Sequence, residues 1–147
     1  MDVEAYLSGY ADGEGCFCVT FNKSKRHKFG WDIRPSFSVS QNSDRAEILR
    51  MFQDYLGCGF IRPDRSDKTL KFEVRCVSDL ANKVIPHFRK YPLLSSKNKD
   101  FEIFAEICNK VNKQEHLKEN GFGEIVQLAL ALNPSGRKKF PIKEIKI

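Results

Sequence analysis

Two acids, Asp12 and Glu14, close the stretch "YLSGYADGEG" from Tyr6 to Gly15, and three glycines, Gly9, Gly13 and Gly15, surround them. A helix interior avoids glycine, which costs about 1 kcal/mol relative to alanine. Yet the apolar residues ahead of the acids, Tyr6, Leu7, Tyr10 and Ala11, have helical spacing. Ser8, Gly9 and Gly13 fall near one face of that helix, because residues four apart stack. Small residues there would let another backbone approach closely. Two such helices side by side would gather two sets of carboxylates, and a carboxylate cluster takes hard divalent cations such as magnesium. The competing reading is a polar helix end followed by a glycine turn.

The elements that must position these acids follow directly. Val3 to Gly13 reads as a helix with Asp2 and Glu4 at its N-terminal end. Cys16 to Lys23 and Trp31 to Ser40 alternate with strand period, joined by the basic loop "SKRHKFG". Pro35 cannot donate to a ladder, so its site is expected at an edge or bulge. "SDRAEILRMFQDYLG" predicts a helix with Ser43 as N-cap and Gly57 as its stop. Strands near Gly59–Arg62 and Leu70–Cys76 flank the turn "PDRSDK". Ser78 is expected to cap "DLANKVIPHF", which Pro86 must kink or split. Helices over Lys99–Lys113 and "FGEIVQLALAL" follow, the latter stopping at "NPSG" ahead of a basic tail. The expected class is α+β: α-β-β-α-β-β-α, an antiparallel four-stranded sheet with helices on one face. The expectation is one domain over residues 1–147, with a core of about 3–132 and a tail from 133 to 147.

The other sheet face is polar: Thr20, Asn22, Arg34, Ser36, Ser38, Arg62, Lys71, Glu73 and Arg75. It is either a solvated face or a set of side chains that read base edges. The net charge of +6, from 25 Lys and Arg against 19 Asp and Glu, permits a nucleic-acid partner without requiring one. No apolar run is long enough for a membrane span, and "MDVEAYL" lacks a basic leader. The five cysteines form no C-x-x-C pair, so they read as reduced, mostly core residues of an intracellular protein rather than zinc ligands. His27, His87 and His116 show no ligand or triad spacing.

"LSGYADGEG" resembles the signature of the LAGLIDADG homing endonucleases in its small residues, both acids and both late glycines. The element order resembles that family's αββαββα half-unit with its saddle-shaped sheet, over roughly Val3 to Lys139. The resemblance implies an intron-encoded, site-specific double-strand DNA endonuclease using divalent-metal-assisted hydrolysis. It makes Glu14 the metal-binding acid, with Gly13 contributing backbone, and Asp12 a residue of the helix ending and subunit interface. It matches Gln41 to a water-orienting position, Arg45 to a basic residue shortly after it, and Lys97 to the lysine of the scissile region, with Lys99 as fallback. On residue type alone, Gln41 remains open as a loop residue, and Arg45 and Lys97 as exposed charges.

A single copy of the motif implies a homodimer, with Leu7, Ser8, Gly9, Asp12 and Gly13 at the interface and two or more Mg2+ ions per dimer site. Double-stranded DNA is the implied partner, with no membrane and no small-molecule substrate. The expected DNA contacts are Cys18, Thr20, Asn22, Ser24, Lys25, Arg26, Lys28, Arg34, Ser36, Ser38, Arg62, Lys71, Glu73, Arg75 and Lys99. An organelle or a bacterial cytoplasm is the expected compartment. An intron RNA-splicing maturase and a non-cleaving DNA-binding protein are the alternatives.

Overall fold

The computed structural model describes residues 1–132 and Ile145. Its elements are α1 (Val3–Glu14), β1 (Gly15–Lys23), β2 (Trp31–Asn42), α2 (Glu47–Leu56), β3 (Phe60–Asp64), β4 (Ser66–Val74), α3 (Val77–Asp79), a π-helical turn (Leu80–Val84), α4 (Ile85–Lys90), α5 (Lys97–Asn112) and α6 (Glu119–Ala131). The strands form one antiparallel sheet in the order β1-β2-β4-β3. The fold is α+β, with the helices gathered on one face of the sheet. "NPSG" and the basic tail lie outside the described residues, apart from Ile145, which is buried.

Alternation decides which face is which. Phe17, Phe37 and Phe72 point to the helices and are fully buried. Phe52 of α2, Phe88 of α4 and Phe101 and Phe104 of α5 meet them, with Phe17 centred 5.2 Å from Phe104 and 5.6 Å from Phe88. Each aromatic buries on the order of 150–250 Å2, so this cluster fixes how the helices sit on the sheet. Pro35 falls where the ladder is half open. Residues 31–36 of β2 pair with β1, while pairing with β4 starts at Phe37. Pro86 is absorbed without a break, because the π-helical turn just before it widens the backbone where the proline lacks a donor.

Several local expectations are corrected. Ser43 opens a 3-10 turn, and no side chain caps α2. Ser78 is not a cap: Cys76 holds that position, and the Ser78 hydroxyl pairs with its thiol at 3.3 Å. The turn in "PDRSDK" tightens onto Arg65 alone, which takes a left-handed backbone with φ of 60° beside a register shift at Pro63 and Asp64. β2 runs on through Gln41. The cysteines are not mostly core: Cys108 is buried, Cys18 and Cys58 are partly covered, and Cys16 and Cys76 are exposed.

Candidate functional site

α1 ends against the sheet through a contact that only glycine allows. Gly15 is extended, not left-handed, with φ of −80°. A Cβ there would sit 2.7 Å from the Ala11 carbonyl oxygen, so the chain can leave the helix directly into β1. Asp12 and Glu14 then part company, because residues two apart on a helix point to nearly opposite sides.

Asp12 turns toward the start of α5. Its carboxylate accepts from the Leu94 N–H at 2.9 Å, the Ser95 N–H at 3.0 Å and the Ser95 hydroxyl. Ser95 Oγ in turn accepts the Lys97 N–H at 3.1 Å. Lys97 returns the favour: its Nζ donates to the carbonyls of Ala11 at 3.3 Å and Gly15 at 2.8 Å. An acid thus sits at the N-terminus of one helix and a cation at the C-terminus of the other, both favourable to the helix dipoles. Burial pushes the Asp12 carboxyl up, but the three hydrogen bonds and nearby Lys97 outweigh it and hold it below the ordinary range.

Glu14 turns the other way, toward Tyr10. It is exposed, and among the described residues no hydrogen bond or ion pair engages its carboxylate. Tyr10 Oη accepts from Gln41 Nε2 at 2.7 Å and donates to the Ser40 carbonyl at 3.3 Å. Gln41 Oε1 takes the Asn42 N–H at 2.7 Å. Burial raises the Tyr10 phenol above its ordinary value; the Gln41 hydrogen bond opposes this, Glu14 adds to it, and Arg45 opposes it. Glu14, Gln41 and Arg45 therefore share one neighbourhood centred on Tyr10, a residue the sequence reading left unassigned. Lys97 lies on the Asp12 side of the same helix end, on the carbonyls of Ala11 and Gly15. Lys99 is exposed and stands apart.

The expected interface is corrected at two positions. Leu7 is wholly buried in the core of its own chain. Ser8 is also buried, its Oγ 3.0 Å from His87 Nε2 and donating to the Tyr91 carbonyl at 2.6 Å. Asp12 is committed within its own chain. Gly9 and Gly13 are exposed, with nothing within 4 Å of where a Cβ would stand. Ala5, four residues before Gly9 and exposed, extends their stripe, and Tyr6 and Val3 flank it.

On the polar sheet face, cross-strand register brings Cys18 beside Ser36, Thr20 beside Arg34, and Lys71 beside Arg62. Its cations are paired: Arg34 with Asp32 at 2.5 Å, Lys71 with Asp64 at 3.7 Å, and Arg62 and Arg75 with Glu73 at 3.2 and 2.9 Å. Ser38 and Glu73 are buried among them, a correction to their expected place as open contacts. Lys25, Arg26 and Lys28 are exposed on the β1–β2 loop. Ser24 holds the loop through His27 at 2.8 Å, and Phe29 stacks on Phe122 of α6 with ring centres 5.1 Å apart.

The profile of the LAGLIDADG endonucleases matches residues 7–108. The chain belongs to the LAGLIDADG endonuclease family. It is 31% identical, over 97% of its length, to a probable intron-encoded endonuclease 2 of Neurospora crassa, of which it covers 34%. It superposes on the meganuclease I-SmaMI bound to uncleaveable DNA with a TM-score of 0.85 and 30% identity, over 91% of this chain and 45% of that one. On the homing endonuclease I-TnaI the TM-score is 0.83 with 32% identity, over 88% of this chain and 87% of that one. The chain spans between about a quarter and a third of the curated relatives it matches first.

The family's metal chemistry can be tested against the donors present. Among the described residues no three His, Cys, Asp or Glu side chains gather to hold a metal. Glu14 with the carbonyl of Gly13 offers hard oxygen donors of the kind Mg2+ takes. That set fits one half of a site. Among the described residues no helix is long and apolar enough to cross a membrane.

Proposed function

We propose that this LAGLIDADG chain cuts both strands of DNA at a long, nearly palindromic site as a homodimer joined through the Ala5, Gly9 and Gly13 face of α1. The observation that carries the reading is the state of Glu14. It is exposed at a helix end beside an open stripe of small residues, so one chain presents half of an acidic site. The near-complete mutual coverage with I-TnaI, against 45% of I-SmaMI, is what one unit of a paired architecture would give.

Glu14 and the Gly13 carbonyl from each chain would hold Mg2+ or a similar ion between the two helix ends. Such ions, when bound, lower the pKa of a water and neutralise charge building on the phosphate. Tyr10 fixes the Gln41 amide, which keeps one N–H and one lone pair to orient a water near Glu14. Arg45 adds positive charge on that flank. Lys97 holds the helix end in place through its carbonyls. The sheet face would enter the major groove on each side of the cut, with Lys25, Arg26 and Lys28 on phosphates. Action in the compartment of an intron-bearing gene, an organelle among them, fits the intron-encoded relatives.

Cleavage of a randomised duplex library with magnesium, and sequencing of the products, tests this. Enrichment of a two-fold-related site cut on both strands is expected. Nicking without sequence preference, or binding to intron RNA with no cleavage, would overturn it.

A further inference from the structure

Glu73, near the end of β4, is only 7% exposed, yet it lies on the polar face, beside Ser38 on one strand and Phe60 on the other. A single oxygen, Oε1, accepts from Arg62 Nε at 3.2 Å and forms an ion pair with Arg75 Nη2 at 2.9 Å. Among the described residues no other acid is shared by two arginines. Each guanidinium has a second restraint. Arg62 Nη1 donates to the Pro63 carbonyl at 3.2 Å, and the Arg75 guanidinium lies 5.3 Å from the centre of the Phe60 ring. The side chains remain 36% and 55% exposed, so N–H groups of both face outward.

We propose that Glu73 is the positioning residue that sets sequence preference on this face, holding Arg62 and Arg75 as one rigid pair of forks that read guanines in neighbouring base pairs. The inference rests on the proposal that this face enters the major groove. Arginine matches guanine O6 and N7 bidentately, and a fork held in place before binding loses less freedom on contact. A guanidinium already balanced by a carboxylate is a poor phosphate neutraliser, since it releases little counterion. The exposed loop cations suit that task better. Glu73 itself is too enclosed to accept from a cytosine amine. The two guanidinium groups meet on one carboxylate oxygen, so they stand side by side. Base pairs rise about 3.4 Å per step, so neither fork can skip far from the other.

The test is selection of bound duplexes from a randomised pool, with calcium replacing magnesium so that DNA is held rather than cut. Wild type should enrich guanine at two neighbouring base pairs in each half-site. Arg62→Ala and Arg75→Ala should each relax one guanine by about tenfold. Glu73→Gln should relax both together and leave the rest of the site unchanged. In the Arg62→Ala/Arg75→Ala background it should change preference no further, which a general loss of structure would not reproduce. Phe60→Ala keeps the carboxylate and should relax the Arg75 guanine alone, a readout that survives even if Glu73→Gln folds poorly. Guanine preference retained in Glu73→Gln, or arginine variants that weaken every sequence evenly, would overturn the inference alone. A wild-type protein that binds without enriching any sequence would overturn the DNA-reading face itself.

Discussion

Tyr10 and His87 show how single residues hold the site from within. Glu14 engages no described neighbour, so Glu14→Gln should leave stability within about 0.5 kcal/mol while nearly abolishing magnesium-dependent cleavage. Unfolding curves and a plasmid assay would show whether the two effects separate. His87 is the opposite case. Burial lowers it to about 4, with Ser8 on Nε2 and the rings of Tyr55, Phe88 and Tyr91 around it. Ser8 gives its proton to Tyr91, so His87 Nε2 carries a hydrogen and Nδ1 is left bare among the described residues. The folded state resists protonation that the unfolded chain accepts below about 6.5. Stability should therefore fall as pH drops from about 6.5 to about 4, by up to ~3 kcal/mol. Urea titrations across that range should show the slope, and His87→Gln should flatten it. The helix ending that carries Glu14 was legible in the sequence because its motif is local. Tyr10 and Ser8 were not, because their partners Gln41 and His87 are distant in the chain and only folding brings them near.

At the scale of elements, the junction of α1 with α5 decides where Glu14 points. Asp12 and Lys97 each serve the other's helix end, a reciprocity that type and spacing could not reveal. Asp12→Ala should cost about 1–2 kcal/mol, as lost caps do. It should also lower cleavage, because the 94–96 segment and Lys97 lose their anchor. Differential scanning calorimetry and cleavage rates check the two effects. The Asp12 carboxyl is held below its ordinary value, so its contribution is present above about pH 4 and disappears as pH falls through the lower, folded value. In the variant that acid dependence should be missing. Element order was readable because glycine stops, strand alternation and helical spacing are local patterns. The caps at Ser43 and Ser78 were misread because other local contacts replaced them: a 3-10 turn enters α2, and the Cys76 thiol takes up the Ser78 hydroxyl.

The whole molecule turns on what the three motif glycines do, and they do two different things. Gly15 serves the chain itself: a methyl group there would strike the Ala11 carbonyl at 2.7 Å, so Gly15→Ala should destabilise the monomer. Gly9 and Gly13 meet nothing within 4 Å. They are exposed, and a helix bearing glycine at exposed positions gives up about 1 kcal/mol at each relative to alanine. Within one chain that sacrifice gains nothing. It becomes useful when a second α1 crosses there and needs the room, with Tyr6, 45% exposed, and Val3, 36% exposed, covered at the same time. Gly9→Leu therefore separates assembly from folding. It should leave the thermal midpoint of the isolated chain unchanged or slightly raised, since leucine is the better helix former. It should also shift the protein to a monomer in light scattering, hold the two Glu14 carboxylates apart and remove double-strand cleavage. A Gly9→Leu protein that still pairs and cuts both strands would place the two-fold axis somewhere other than α1.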